Sequence, residues 1–234
     1  PMPFAIALGV DPAIPFVGGM PIPDGVSEPD FVGGYLGEPV QVIDCETVPL
    51  QVPANSEIVI EGTVHLKEET REGPMGEYTG YISKGESSPQ PVYEVSAITH
   101  RNAPILPVVA AGEPVEENHT CWGIGISAEV TAELRKHNFP VARCFIPFES
   151  AVHWLVVTVN KSARGKVSGK ELVQKLAEIF FPSKAGELLS KVLLVDDDID
   201  PGNINEVVWA FASRSHPENG QFLFPNLPPF PLQL

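Results

Sequence analysis

The chain has 234 residues, of which 43% are hydrophobic, and a formal net charge of −15 at pH 7. This composition predicts a folded protein with a substantial core, and its acidity argues against nucleic-acid or anionic-membrane partners, which require a basic face. No apolar run approaches the roughly 20 residues that span a bilayer, and three scattered cysteines favour a reducing compartment, so we expect a cytoplasmic protein without a membrane span.

The first hundred residues are predicted to be mainly β. Residues 4–10 indicate a short buried strand that leads to a Gly18-Gly19 turn, where backbone amides can approach a ligand closely. A plain loop is the alternative. Glu28 is expected in a loop, and His65 at the rim of a strand. Further strands are predicted at residues 40–43, 50–52, 57–66 and 92–99, as one wall of an antiparallel barrel or sandwich.

Two carboxylates lie at a predicted bend in residues 71–81, Arg-Glu-Gly-Pro-Met-Gly-Glu-Tyr-Thr-Gly-Tyr. Proline fixes φ and glycine permits positive φ, so the chain turns sharply between Glu72 and Glu77. If both side chains face one pocket, mutual repulsion and partial burial separate their pKa values, and one carboxyl group can stay protonated and donate a proton. The spacing is also compatible with a solvated loop that carries two ordinary acids.

The second half is predicted to alternate between strands and helices, which indicates an α/β layer. A capping box at Ser168 and Glu171 marks one helix start, and Asn203 with Glu206 marks another. The predicted strands are residues 105–111, 141–148, 153–159 and 192–195, and an amphipathic helix is predicted at residues 125–137. The apolar tail, residues 222–234, favours self-association.

Asn118 and Trp122 lie between the predicted strand at residues 105–111 and the helix that follows it. Asn118 could hydrogen-bond a substrate heteroatom or carboxylate, and Trp122 could form an apolar wall. The alternative is a helix cap at Asn118 with Trp122 in the core. The acidic run at residues 196–200 lacks the glycine and the spacing of a calcium loop, so we interpret it as turn and capping chemistry.

Residues 72–81, Glu-Gly-Pro-Met-Gly-Glu-Tyr-Thr-Gly-Tyr, resemble the signature of the UbiD family of decarboxylases, which use prenylated flavin mononucleotide. Further stretches resemble the family in its own order, at residues 20–28, 52–62, 116–120, 147–150 and 195–200, the last leading to residues 208–210. Together these stretches extend over almost the whole chain.

The resemblance implies an α+β fold, with part of a β-rich split-barrel flavin-binding domain at residues 1–104 and an α/β oligomerisation domain at residues 105–234. It also implies a homodimer or higher homo-oligomer. The implied cofactors are prenylated FMN and Mn²⁺ or Mg²⁺, with K⁺ as a further candidate cation. Gly18, Gly19 and Met20 would contact the flavin, and Glu28 would be a carboxylate ligand of the divalent metal.

The activity implied is the reversible, non-oxidative decarboxylation of an aromatic, heteroaromatic or α,β-unsaturated carboxylic acid. The resemblance implies that Glu77 protonates the adduct that remains after CO₂ has left, and that Glu72 is its partner in a Glu-Arg-Glu network. It also implies that Asn118 and Trp122 line the substrate cavity. A flavin-free hydrolase that uses the two acids is a weaker alternative, because the spacing of the acids does not establish the separation that such enzymes need.

Part of the family pattern is missing from the 234 residues. The network arginine and two further metal ligands would precede residue 1, while the phosphate-binding lysine and a helix that crosses between subunits would follow residue 234. Arg71 is not at the position of the network arginine. We therefore expect a piece of a longer protein that by itself binds the cofactor weakly or not at all. The alternative function is a catalytically silent fragment or assembly subunit that needs a further segment.

Overall fold

A computed structural model describes residues 1–22, 24–74, 76–82, 89–225 and 227. The chain forms two compact units. The first unit consists of Pro1–Gly18, Ile22–Glu77 and Tyr81–Ala110. The second unit consists of Gly19–Pro21, Tyr78–Gly80 and Ala111–Leu234. Residues 226 and 228–234, in the predicted apolar tail, lie outside the described residues.

The first unit is an antiparallel sheet with two short helices. Its elements are β1 Met2–Leu8, α1 Ala13–Gly18, α2 Glu28–Leu36, β2 Val42–Asp44, β3 Gln51–Pro53, β4 Ile58–Arg71 and β5 Pro89–His100. Strands β1, β4 and β5 form one sheet in that order, and β2 pairs with β3. The register places Ile6 opposite Ile60 and Ile60 opposite Ile98. The described part of this sheet is therefore open, and it presents an apolar row on one face.

Three predictions for the first unit need correction. The strand at residues 4–10 was expected to be buried, but β1 lies at a sheet edge and Ile6 is 44% exposed. Glu28 is not in a loop, because it begins α2 after Ser27, whose Oγ accepts a hydrogen bond from the Asp30 N–H at 3.3 Å. Gly18 is the last residue of α1 and Gly19 forms the turn that follows. Short helices rich in Gly and Pro carry too little periodicity to be predicted.

The second unit alternates strands and helices, as predicted. Its elements are α3 Glu117–Lys136, β6 Val141–Phe145, a 3₁₀ turn at Phe148–Ser150, β7 Trp154–Val159, α4 Lys161–Arg164, α5 Gly169–Phe180, α6 Lys184–Leu188, β8 Lys191–Asp196 and α7 Ile204–Arg214. In the sheet, β7 is central, antiparallel to β6 and parallel to β8. With the antiparallel sheet of the first unit, this arrangement confirms the predicted α+β class.

The core of the second unit is built on both faces of β7. Because strand residues alternate between faces, Leu155 and Val157 pack into one cluster and Val156 into another, and all three are fully buried. The larger cluster includes one face each of α3 and α5: Ile126, Val130, Leu134, Leu172, Leu176 and Phe180. A strand covered on both faces explains the continuous apolar run in the sequence.

Two predictions for the segment before α3 are wrong. Residues 105–111 form no strand in the described structure, and Ile105 and Val108 are 71% and 75% exposed. Pro104 and Pro107 have no N–H to donate to a sheet, so the apolar composition of this segment is not enough to make it a strand. The following helix begins at Glu117, not at residue 125, so Asn118 and Trp122 are helical.

The predicted helix starts at Ser168 and Asn203 are confirmed. Ser168 Oγ accepts a hydrogen bond from the Glu171 N–H at 3.3 Å, and the Glu171 carboxylate accepts one from the Ser168 N–H at 2.9 Å. The Asn203 side chain accepts from the Asn205 N–H at 3.1 Å at the start of α7. Both caps use contacts between residues two or three apart, which is why the sequence reveals them.

Candidate active site

The two predicted acids follow β4 on a sharply bent segment, residues 72–81, which we call the carboxylate turn. Gly73 and Gly80 have φ of 90° and 85°, the left-handed region that favours glycine. Gly76 pairs with Ile82 in an antiparallel bridge, and the Glu77 N–H donates to the Tyr81 carbonyl at 3.1 Å. The predicted bend is therefore present.

The two acids differ in their surroundings. Glu72 comes directly after the last residue of β4 and is exposed, whereas Glu77 is half-buried. Of the two acids only Glu77 is partly shielded from solvent, so on geometry Glu77 is the better candidate for a proton donor. That the two side chains act as a pair stays a prediction.

Tyr78, the residue after Glu77, is anchored in the core of the second unit. Its side chain is 8% exposed, and its ring packs edge-on against Trp122 with the ring centroids 5.0 Å apart. The His153 ring stacks near the Tyr78 ring at 6.0 Å. The Tyr78 carbonyl oxygen lies 2.6 Å from Nε2 of His119. Tyr78 and His119 were not predicted as functional residues, although both lie in stretches of the sequence that resemble the UbiD family.

His119 also completes the cap of α3. The Glu116 side chain accepts a hydrogen bond from the Asn118 N–H at 2.9 Å, and His119 Nδ1 accepts one from the Glu116 N–H at 2.9 Å. The N-cap residue is thus Glu116, which corrects the alternative that Asn118 caps this helix. Glu116 Oε1 is buried 3.4 Å from His119 Nδ1.

Asn118 and Trp122 lie one turn apart at the start of α3. The Asn118 side chain is half-buried, and Trp122 is partly buried against the large core cluster. Trp122 therefore has a packing role in the described structure, as the alternative interpretation expected. Contact between either residue and a substrate stays a prediction.

The predicted flavin contacts lie around the end of α1. A Cβ atom placed on Gly18 would meet nothing within 4 Å, so the protein's own packing does not require glycine there. Contact between Gly18, Gly19 or Met20 and a flavin stays a prediction. Met20 packs on Gly125 of α3, where an added Cβ would lie 2.7 Å from Met20 Cγ. Gly125 therefore leaves the room that the Met20 side chain occupies.

The described residues do not assemble a metal site. Glu28 is exposed on the first turn of α2, and in the part of the chain that the structure describes no group of three or more His, Cys, Asp or Glu could hold a metal ion. Mg²⁺ and Mn²⁺ prefer several oxygen ligands, so Glu28 by itself does not constitute a site.

The acidic run at residues 196–200 is used for ion pairs and turns. Asp196 pairs with Arg164 at 3.0 Å, and Asp198 pairs with Arg214 at 2.9 Å. Asp200 accepts a hydrogen bond from the Gly202 N–H at 3.1 Å. The turn interpretation is thus confirmed.

His65 lies on β4, in the first unit, as a partly exposed rim residue. It contacts Glu94 at 2.9 Å on the neighbouring strand. The rim prediction is confirmed.

None of the helices in the described ranges has the length and apolarity to cross a bilayer.

Comparison with known proteins identifies the family. Residues 1–114 match the family model of the 3-octaprenyl-4-hydroxybenzoate carboxy-lyase Rift-related domain, and residues 119–234 match that of the corresponding C-terminal domain. The chain belongs to the UbiD family. The resemblance found in the sequence is thereby confirmed over nearly its full length.

Named relatives and solved structures of UbiD proteins agree. Over 99% of this chain, identity is 44% to pyrrole-2-carboxylic acid decarboxylase of Pseudomonas aeruginosa and 41% to ferulic acid decarboxylase 1 of Saccharomyces cerevisiae. The structure also superposes on an evolved dimeric form of the UbiD-class enzyme HmfF from Pelotomaculum thermopropionicum, which was solved in complex with prFMN. The TM-score is 0.77 at 30% sequence identity, and the match covers 93% of this chain and 48% of the HmfF chain. The chain spans about half the length of the curated relatives, 47% and 46% respectively.

Proposed function

We propose that this chain carries the proton-donating part of a prenylated-FMN-dependent decarboxylase for an aromatic, heteroaromatic or α,β-unsaturated carboxylic acid. The observation that carries the proposal is the match of both UbiD domains to a chain in which the carboxylate turn is present and Glu77 is half-buried. The similarity to pyrrole-2-carboxylic acid and ferulic acid decarboxylases supports a small planar acid as substrate.

The chemistry divides between the cofactor and the chain. Decarboxylation leaves an electron pair on carbon that no side chain of this sequence can delocalise, and prenylated FMN, when bound, supplies the electron sink. Gly18, Gly19 and Met20 are the residues that we assign to hold it.

The acid chemistry is assigned to the carboxylate turn. Protonated Glu77 delivers its proton to the carbon that has lost CO₂, and it regains a proton before the next turnover. Glu72 is its exposed partner, through which a proton from solvent is relayed. A positioned general acid contributes on the order of 10² to 10⁴ in rate.

Substrate binding is assigned to the first turns of α3. Asn118 is proposed to hydrogen-bond the carboxylate or a ring heteroatom, because its amide offers both a donor and an acceptor. Trp122 is proposed to limit the pocket with its apolar face, which favours planar acids over bulky ones.

The metal ligand, the domain roles, the oligomer and the location are also proposals. Glu28 is proposed as one ligand of Mn²⁺ or Mg²⁺, with K⁺ as a further cation, and no step is assigned to these ions. Residues 1–104 are proposed as part of a split-barrel flavin-binding domain and residues 105–234 as an oligomerisation domain of a homo-oligomer. The acidic composition supports the absence of nucleic-acid partners, and the three scattered cysteines support a cytoplasmic location.

The test is Glu77→Gln in the holoenzyme reconstituted with prenylated FMN and Mn²⁺. With pyrrole-2-carboxylate and with ferulate as substrates, we expect CO₂ release to fall by about 10² or more, because glutamine keeps the size of the side chain but cannot donate the proton. Glu69→Gln, an exposed acid on β4, is the matched control and retains activity. Wild-type turnover by the Glu77 variant contradicts the proton-donor role.

The second candidate function is an assembly subunit that is silent by itself. It is favoured by the absence, in the described part of the chain, of any group of three or more His, Cys, Asp or Glu that could hold the proposed metal together with Glu28. Flavin absorbance that co-purifies with the 234-residue chain, and increases with added Mn²⁺, contradicts this candidate.

A further inference from the structure

The strongest unassigned feature is the buried histidine of α3. His119 is 0% exposed, and both of its ring nitrogens have a backbone partner. A buried imidazole that is hydrogen-bonded on both sides is held in one orientation, because loss of either contact would leave a buried polar atom unsatisfied.

The partners define the protonation state of this ring. The Glu116 N–H can only donate, so Nδ1 of His119 accepts and carries no proton. The Tyr78 carbonyl can only accept, so Nε2 donates to it across 2.6 Å. His119 is therefore the neutral Nε2–H tautomer, and it joins two segments that are 41 residues apart in the sequence.

The hydrogen bond between His119 and Tyr78 also restrains the backbone next to Glu77, the residue before Tyr78. The Tyr78 side chain is fixed by Trp122 and His153, and its carbonyl by His119. A residue that is held at both its ring and its carbonyl cannot rotate, so its backbone nitrogen, which is bonded to Glu77, is fixed as well. The Cα atoms of Glu77 and Tyr78 are only about 3.8 Å apart across the peptide bond.

We propose that His119 is a positioning residue, which holds the Tyr78 carbonyl and thereby restrains the backbone of the carboxylate turn at the residue that follows Glu77. This role deepens the proposed function and rests on it, because it matters for turnover only if Glu77 is the acid. A displacement of about 1 Å at a reacting group can cost on the order of 10² in rate. Helix capping alone would not require the Nε2 donor.

Two substitutions separate the capping role from the positioning role. In His119→Asn the amide oxygen lies as many bonds from Cα as Nδ1, so it can accept from the Glu116 N–H, but nothing reaches Tyr78. In His119→Gln the amide extends to the position of Nε2, so its N–H can donate to the Tyr78 carbonyl, while its oxygen can accept at the cap. Gln should therefore rescue what Asn loses.

The first measurement is amide hydrogen exchange on the apoprotein. The Glu77 N–H, bonded to the Tyr81 carbonyl at 3.1 Å, reports opening of the carboxylate turn. We expect faster exchange at Glu77 in His119→Asn and near wild-type exchange in His119→Gln. Ser168→Ala, which removes the capping box of α5, is the matched control and leaves exchange at Glu77 unchanged.

The second measurement is turnover by the holoenzyme. We expect kcat of His119→Asn to fall by about 10- to 100-fold with KM little changed, while His119→Gln and Ser168→Ala stay near wild type. Equal losses in the Asn and Gln variants, or wild-type exchange and turnover in the Asn variant, overturn the positioning role. Hydrogen exchange is measured without cofactor or substrate, so it does not depend on the proton-donor role of Glu77. Faster exchange in the Asn variant supports the contact between His119 and Tyr78 in either case. Full turnover by Glu77→Gln overturns only the proton-donor role.

Discussion

The two units are stabilised in different ways. In the second unit a large apolar cluster surrounds β7, and its interior is apolar enough that burial raises the pKa of the Cys144 thiol to about 11. In the first unit much of the apolar surface of the sheet stays exposed, including Tyr93 at 55% and Ile98 at 59%. In the described part of the first unit a small apolar cluster lies at α1, α2 and Val40. The first unit must therefore depend more on specific polar contacts.

Glu61 makes the most prominent of these polar contacts. Its side chain lies on β4 with 1% exposure and accepts hydrogen bonds from the Thr47 N–H at 2.6 Å, the Thr47 hydroxyl at 2.8 Å and the Glu46 N–H at 3.1 Å. Burial by itself would raise the pKa of Glu61, but the hydrogen bonds from residues 46–48 outweigh it and hold the pKa below its ordinary value.

Glu61 and His119 illustrate the difference between the two units. Each is a buried ionisable residue whose side chain contacts backbone groups of a segment that is distant in the sequence. Glu61 does so as an anion that only accepts hydrogen bonds, whereas His119 does so as a neutral ring that donates one and accepts one. We therefore expect the first unit to be sensitive to acid, and the second unit to be sensitive to cavities.

The largest expected effect is a cavity in the second unit. Phe180→Ala removes a ring that is 2% exposed, and it should lower the free energy of unfolding by about 3–5 kcal/mol. All three tryptophans lie in the second unit, so urea unfolding followed by tryptophan fluorescence reports on it alone. Val167→Ala, at a site that is 44% exposed, is the control. A loss as small as that of the control would contradict the described core.

Acid should affect the first unit through Glu61. A carboxylate whose pKa is lowered by folding stabilises the fold above its unfolded pKa of about 4.3, and this stabilisation is lost as the pH falls through the folded pKa. Glu61→Gln should therefore be less stable than wild type at pH 7, and the difference should shrink as the pH decreases below about 4. Thermal unfolding by near-UV circular dichroism measures the gap, with Glu69→Gln as control. A gap that does not change with pH would show that the charge is not the cause.

A smaller effect is expected at the capping box of α5. Ser168→Ala removes the acceptor for the Glu171 N–H, and it should cost about 0.5–2 kcal/mol. Ser168→Asp keeps an acceptor and should retain most of the stability. Tryptophan fluorescence in urea again gives the measurement, and equal losses for Ala and Asp would exclude capping as the reason.

The smallest effect is expected at an exposed ion pair. Asp198→Asn removes the 2.9 Å pair with Arg214 and leaves the guanidinium over the Trp209 ring, 4.5 Å from its centroid. Because exposed pairs contribute little, the loss should be about 0.2–1 kcal/mol, and it should vanish in 1 M salt. A loss that persists at high salt would instead indicate a direct hydrogen-bonding role.

Sequence reasoning succeeded where the signal was local. The continuous apolar run at β7, the helical spacing of Leu172 and Leu176, and the capping box at Ser168 all specify elements that the structure contains. It failed at residues 105–111, because an apolar strand also needs a partner strand. It also placed Glu28 in a loop, since a six-residue helix and a nine-residue helix leave little periodicity to detect.

For the candidate site, the sequence by itself determined the two acids and the bend between them. Gly73 and Gly80 have positive φ, which glycine permits, so the bend could be expected from the residue types alone. Only the tertiary structure decided that Glu77 is half-buried and Glu72 exposed, and that Tyr78 is bound to His119. Backbone preferences act over a few residues, whereas burial and the partners of a buried polar group depend on segments that are distant in the chain. The two acids and their bend were therefore predictable, whereas the buried contact between His119 and Tyr78 was not.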